Sequence, residues 1–577
     1  MNEMALSKLL RVSITFLVVG AVTSCAAAGM QQSSRAQLDS AVANPARWKA
    51  AKVESQRKPV APSIFLDTKY VPARGRKVRV AAGASASRNL QSAIDQASAG
   101  DVIELEAGAE YIGNFTLPSK PSSSSDYIII RSSRADDLKV DTRVSPSNSA
   151  SMAKLTSPNA DPILRAAPGA HHFRLIGIEM TIAPDVKANR NLVRLGEGDE
   201  RELEQLPHDL IIERCYIHGS ATQTVRRGIA LNSTSTAIID SYISEIHEKG
   251  ADSQAICGWN GAGPFKIVNN YLEAAGENVM FGGADPKIEG LVPSDIEMRR
   301  NHLRKPLEWK RGEGGYAGAE WSVKNLLELK NAQRVIIEGN ILENCWVDAQ
   351  VGYAILLKSV NQDGGASWSV TQDVEVSNNV IRHASGGVNI QGRSQDQPGG
   401  QTARVSIRNN LFEDISGERW GGEGAFMKIS EAEGVEVNHN TVLQSGNVIT
   451  AYGSPSTGFI FTNNIVRHGQ YGVKGDGTGV GNSTVNKYFP GSVFKKNVII
   501  GSSDSPYPEG NFLLASIDKV GFVDHSTSKF RLAEKSSYKR AGTDGLDIGC
   551  DLSLIEGAMN SPSTTSSLER VAPSKQR

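Results

Sequence analysis

At 577 residues the chain is long enough for several domains, yet its 62 basic and 62 acidic residues cancel to a formal charge of zero. Balanced charge gives no reason to expect nucleic acid as a partner, and any electrostatic function has to come from local patches. Five cysteines, Cys25, Cys215, Cys257, Cys345 and Cys550, form no CxxC or zinc pattern. Buried thiols are therefore expected after Cys25, although an exported location would permit a bridge.

Residues 1–28 read as an export signal: Lys8 and Arg11, an apolar run from Val12 to Val22, then small residues. The run is too short to span a bilayer stably. It ends Val22-Thr23-Ser24-Cys25, which resembles a bacterial lipobox. The resemblance implies a lipid on Cys25 and a cell-envelope lipoprotein; ordinary cleavage after Ala26-Ala27-Ala28, and secretion, is the alternative. Residues 29–79 lack a repeat and read as a linker. From Asn89 the spacing is helical up to Gly100, followed by strand-like DVIELEAG and YIGNFTLP. A helix ahead of a stack of strands would cover its open end. This opening resembles pectate-lyase-like β-helix proteins, which implies architecture over residues 80–550 and no particular reaction.

The chain then repeats one phrase: an apolar run, Asn, another apolar residue and a turn. Its marks are Asn270, Asn301, Asn340, Asn379, Asn410, Asn440, Asn464 and Asn497, spaced from 24 residues (Asn440 to Asn464) to 39 (Asn301 to Asn340). Such a period points to a stacked repeat, and the alternation before each Asn is that of a strand facing one core. Asn tolerates a left-handed bend and can bond its equivalents in neighbouring coils. The expected fold is all-β: a single-stranded, right-handed parallel β-helix (a solenoid) with an N-terminal helical cap. The segment from Lys529 to Leu552 reads as a terminal cover. Residues 551–577 read as a C-terminal tail, disordered through its Ser/Thr/Pro-rich end.

The stretch from Trp321 to Ser359 carries the chemistry. Alternation turns Leu327 and Leu329 inward, so Glu328 and Lys330 face out, as do Lys358, Asn389, Gln391, Lys428 and Asn278. With coils about 4.8 Å apart, Lys330 and Lys358 become near neighbours, a repulsion that an anionic ligand would relieve. Five of the seven tryptophans (Trp309, Trp321, Trp346, Trp368 and Trp420) fall in the same portion, mostly in loops. Aromatic plates beside amides and amines suit an extended carbohydrate. His218, His302, His383, His439 and His468 fall near turns without an HExxH, so no metal centre is assigned to them.

LLELKNAQRVIIEGN resembles the strand–Lys–turn–strand–Asn phrase of the alginate lyase and chondroitinase B family of β-helix polysaccharide lyases. The resemblance implies that Lys330 is the base of a β-elimination on a uronic-acid polymer. The family's assisting Arg falls near Lys358, a departure. Calcium is the cofactor it implies, yet the acid positions hold Val323 and Asn325. In this reading Lys358 lowers the pKa of Lys330, and Lys358 or Lys428 neutralises the substrate carboxylate. Arg382, Arg393 and His383 are weaker candidates for that role. Two other readings stay open. A glycoside hydrolase would pair Glu328 with Asp285, Glu308 or Asp373, though the only Asp-Asp, Asp136-Asp137, lies far upstream. A non-catalytic glycan-binding or adhesion solenoid would need only the loops and the polar strip. The expected partners are a polysaccharide and, through the lipid, the outer face of a membrane, with the protein a monomer.

Overall fold

The computed structural model describes residues 58–561 except 122–123, 395–396 and 503–505. The export signal, Cys25 and most of the linker lie outside the described residues. Three long parallel sheets run the length of the molecule. Sheets I and II have 14 strands each and sheet III has 12. The chain visits them in rotation. One coil takes Ser294–Arg299 in sheet I, His302–Arg304 in sheet II and Leu327–Leu329 in sheet III before returning to sheet I at Ala332–Glu338. This is the right-handed parallel β-helix the repeat predicts, the hand that strand twist imposes on parallel crossovers. One core of stacked Ile, Leu, Val and Phe fills the interior, from Val80 to Tyr507.

The asparagine marks form one continuous ladder. The Asn301 backbone N–H donates to Asn340 Oδ1 at 2.9 Å and its side-chain Nδ2 to the same oxygen at 3.1 Å. Asn340 repeats both bonds to Asn379 at 2.8 and 3.0 Å. The chain of links starts at Asn270 and ends on Asn511. All eight marks are buried. The left-handed bend belongs to the preceding residue instead: Asn269, Arg300, Gly339, Asn378, Asn409, His439, Asn463 and Lys496 have φ between 52 and 65°. Putting the bend there leaves the Asn amide free to turn inward and bridge coils.

The helical cap is Ala86–Gln96, with Leu90 and Ile94 buried against the first coil. Lys120 Nζ closes its C-terminus on the Ile94 and Asp95 carbonyls at 2.8 and 2.6 Å, a cation on the negative end of the helix. Two segments differ from the sequence reading. Part of the expected linker runs as a strap across the outside of sheet I. Val60 N–H donates to Asp373, Ser63 N–H to Asp295 at 2.7 Å, and Lys266 Nζ to the Leu66 carbonyl at 3.1 Å. Leu66 packs on Ile211, Ala237, Ile239 and Val268. At the other end, Phe512–Leu514 is the last strand of sheet II and residues 515–559 fold back over that sheet, where Phe522, Phe530, Tyr538, Ile548 and Ile555 cover Leu411, Leu443, Ile465 and Val498. The stretch expected as a tail opens with a helix, Leu552–Met559, capped by Asp551. The four described cysteines are unpaired thiols. Among the described residues no helix is long and apolar enough to cross a membrane.

Candidate functional site

The strap lies on sheet I and the returning segment on the C-terminal strands of sheet II, while sheet III carries outward side chains that are partly exposed towards its two ends and buried at Ala230, Cys257, Met280 and Glu328 in its middle. The register aligns its outward residues into one file, Arg165, Arg194, Ala230, Cys257, Met280, Glu328, Leu356, Asn389, Lys428, Thr450 and Lys474. Leu329 pairs with Leu357, so Lys330 and Lys358 follow on neighbouring coils as expected. Lys358 is in turn paired with Gln391.

Lys330 is not a free amine. Its Nζ lies 3.0 Å from Glu328 Oε1, its side chain 16% exposed and that of Glu328 1%. Burial alone would lower its pKa, but the charges of Glu328, Glu277 and Asp252 outweigh burial and raise it. The expectation of a depressed pKa is therefore reversed: Lys330 rests as a cation. Beside it Lys324 Nζ pairs with Asp252 and stands 3.8 Å from Glu277. Glu277 is fully buried, takes a 2.8 Å bond from Gln254 and is pushed up to about 8, first by burial and then by the charges of Glu328 and Asp252. The centre of sheet III is thus a buried layer of carboxyls capped by two partly exposed lysines.

Asn278 points inward, contrary to simple alternation. Its N–H and that of Val279 both donate to the Leu326 carbonyl, at 3.0 and 3.2 Å. The strand Glu277–Phe281 changes phase here without an extra residue, since Gln254 stays opposite Glu277 and Ile256 opposite Val279. Asn278 Nδ2 bonds the Leu272 and Arg304 carbonyls, and its Oδ1 accepts from the buried Lys305 Nζ at 3.1 Å. Lys305 also donates to the Ala274, Ala275 and Gly276 carbonyls. It ties down the turn that presents Glu277, the carboxyl that sequence alternation passed over.

The tryptophans split. Trp309, Trp346 and Trp420 are buried with Val323 in a satellite core under the loops leading into sheet III, so packing is their work. Trp321 is half-buried and stacks on His247 with centroids 3.9 Å apart. These four line a cavity of 630 Å³ together with Lys310 and Arg311. Trp368 sits in the loops that leave sheet III, its Nε1 donating to the Leu291 carbonyl. Lys428 lies 5.3 Å above the Tyr452 ring, and Gln391 bonds the Arg393 carbonyl.

None of the proposed hydrolase partners reaches Glu328. Asp285 accepts the N–H groups of Gln362, Asp363 and Gly365 and anchors that loop. Glu308 is exposed in the turn Leu307–Trp309, and Asp373 is paired with Arg404 on sheet I. Arg382 is paired with Glu343 and His383 with Asp414 on sheet II, while Arg393 bonds Gln401. The position does not fit calcium either. Val323 is buried among tryptophans, Asn325 Nδ2 faces Glu328 and Gln350, and the nearby carboxylates already have lysine counter-ions, where a calcium cage needs free oxygens.

Sequence reading also passed over the far end of the face. Arg190, Arg194, Arg226 and Arg227 converge with Trp259 on a cavity of 440 Å³ that reaches Met280 and Gly282. Arg227 lies 4.9 Å over the Trp259 ring. Because these arginines come from two separate stretches, 190–194 and 226–227, only the coil stacking brings them together.

No protein-family model matches the chain, and no curated protein matches it. Solved structures do. A PL6 family alginate lyase aligns at 13% identity and a TM-score of 0.43, over 82% of this chain and 58% of that one; this chain thus spans under two thirds of its length. A pectate lyase aligns at 13% identity and a TM-score of 0.32, over 82% and 96%. An E. coli bacteriophage tailspike protein in complex with a pentasaccharide aligns at 13% and 0.36, over 76% and 66%. At these identities the likeness concerns the fold alone.

Proposed function

We propose that this is an exported carbohydrate-active β-helix protein that lays an acidic, uronate-type polysaccharide along sheet III and cleaves it by β-elimination. The observation that carries the reading is the set of basic side chains on this face: four arginines around one cavity that also holds Glu197, then Lys324 and Lys330 paired with Asp252 and Glu328, then Lys358 and Lys428. A polymer with a carboxylate on each ring would meet basic groups at several points along this face and compete there with the protein's own carboxylates. Neutralising that carboxylate is what makes the adjacent C–H acidic enough to lose its proton.

In this reading Lys330 takes that proton. It must first lose its own, and Glu328 Oε1 is 3.0 Å away to receive it. A polymer lying over the pair removes the remaining water, and desolvation favours the neutral amine–carboxylic acid form over the ion pair. Lys330 then accepts the substrate proton and the glycosidic oxygen leaves. A hydrolase would need Glu277 and Glu328 to touch the sugar, and both are buried beneath the lysines.

The test is incubation with acidic and neutral polysaccharides, following reducing ends and ultraviolet absorbance together. Both signals rising on an acidic polymer support elimination. Reducing ends without absorbance return the carboxyl pair to the front, and binding without either leaves the adhesion reading. Export with a lipid on Cys25 belongs to the same proposal. Cell fractionation should find the wild type in membranes and Cys25→Ala released; a soluble wild type removes the anchor.

A further inference from the structure

Four side chains on the outside of sheet I have no part in the sheet III site. They belong to two successive strands, His171–Ile176 and His208–Glu213, paired so that His171 faces His208. In an ordinary strand only one of two consecutive residues would face out. Here His172 and Asp209 have left-handed backbones, φ 55 and 51°, and all of His171, His172, His208 and Asp209 are half-buried on the outer side. The His171 and His208 rings stack with centroids 4.9 Å apart and planes 11° from parallel.

The hydrogen bonds fix which nitrogens carry protons. His171 Nε2 is 2.9 Å from the Lys120 carbonyl. A carbonyl only accepts, so His171 Nε2 is the donor and its Nδ1 is bare. His172 Nδ1, 2.8 Å from that bare nitrogen, must be the donor of the pair. His172 Nε2 is then left with a lone pair, and it stands 3.9 Å from Asp209 Oδ2. His172 Nε2 and Asp209 Oδ2 therefore face each other as two acceptors across a gap too long for a hydrogen bond. His208 Nδ1 donates to the same carboxylate at 2.7 Å; moving that proton to Nε2 frees Nδ1, the nitrogen beside Asp209, to bind a metal. His172, His208 and Asp209 can bring one ligand atom each to within 4.8 Å of the others. Tetrahedral zinc ligands lie about 3.4 Å apart, given metal–ligand bonds of about 2.0–2.1 Å, so closure needs movements on the order of an ångström.

We infer a transition-metal site of the zinc class at His172, His208 and Asp209, with water completing the coordination. Imidazole plus carboxylate is the donor set of zinc and its neighbours rather than of calcium. His171 and the Lys120 carbonyl form the outer layer that holds the His172 tautomer, as hydrogen-bonded partners do behind metal-bound imidazoles. The ion would clasp two coils close to the strap, whose Thr68 carbonyl is bonded by Arg174 of the first strand.

The experiment uses the full chain without a polyhistidine tag, stripped of metal and titrated with Zn2+ against a chromophoric chelator. The wild type should take one equivalent and melt at a higher temperature when loaded. His172→Ala and Asp209→Asn should each weaken binding by about 100-fold or more and abolish the melting shift. His171→Phe, which keeps the ring and removes the tautomer lock, should weaken it by about 10–100-fold. Co2+ in the wild type should give visible bands without thiolate charge transfer, a readout that needs no variant to fold. A wild type that binds no Zn2+, a thiolate signature, or equal affinity in His172→Ala and wild type would overturn the site.

Discussion

Glu277 couples the site to the stability of the fold. It is pushed up to about 8 in the folded chain from an ordinary 4.5, by burial first and then by Glu328 and Asp252. Between those two values the folded state holds a proton that the unfolded state has lost, so stability falls as pH rises through this window. Glu277→Gln removes the titration. In urea melts the variant should gain on the wild type as pH goes from about 5 to about 9; a constant difference would mean the group is not titrating there. At Lys330 the expectation is kinetic. Lys330→Ala should cost at least roughly 100-fold in turnover, the scale of a general base, while polymer binding persists. Glu328→Gln removes the largest of the charges that raise Lys330, leaving Glu277 and Asp252 against the burial that lowers it. The base limb of the pH–rate profile should therefore move to lower pH. An unmoved limb would separate Lys330 from the base role.

The ladder is the element on which register depends. Asn379 donates twice to Asn410 Oδ1 at 2.9 Å and once each to the Ile337 and Ser377 carbonyls, and accepts twice from Asn340. Asn379→Leu strands buried groups on both neighbouring coils, at roughly 1–3 kcal/mol for each unsatisfied group. Denaturant unfolding should show a loss at the upper part of that range or beyond, while Asn378→Gly, at the left-handed position, should be tolerated. This element was legible because the same residue recurs at the same place in successive coils from Asn270 onward, whereas the coil before carries Ser241 there. The phase of Glu277 was not legible, because a local change of strand phase leaves no composition mark of its own, and alternation assigned Asn278 to the outside. The tryptophans misled for another reason. An aromatic in a long loop can face a ligand or roof a satellite core, and the Val323 cluster decides for the second at Trp309, Trp346 and Trp420. The strap and the arginine cavity depend on contacts across many coils, such as Val60 with Asp373, which no local pattern records.

At the scale of the molecule, the proposed polymer site lies on the sheet that neither the strap nor the returning segment covers. The strap occupies the outside of sheet I and the returning C-terminal segment that of sheet II. An acidic polymer held by the arginines and lysines of sheet III should bind with strong salt dependence, since surface charges are screened over about 10 Å at 0.1 M salt. Arg194→Ala and Arg227→Ala should each weaken binding and flatten that dependence; salt-independent binding would move the contact to the tryptophan-lined cavity. The ladder has one more consequence, and it concerns ancestry. Every link joins the same two donors to the same oxygen, whether 24 residues intervene, as from Asn440 to Asn464, or 39, as from Asn340 to Asn379. A duplicated stretch of gene encoding one coil would arrive with a matching plug and socket already in place, so such a protein can lengthen by copying itself while its loops drift toward new ligands.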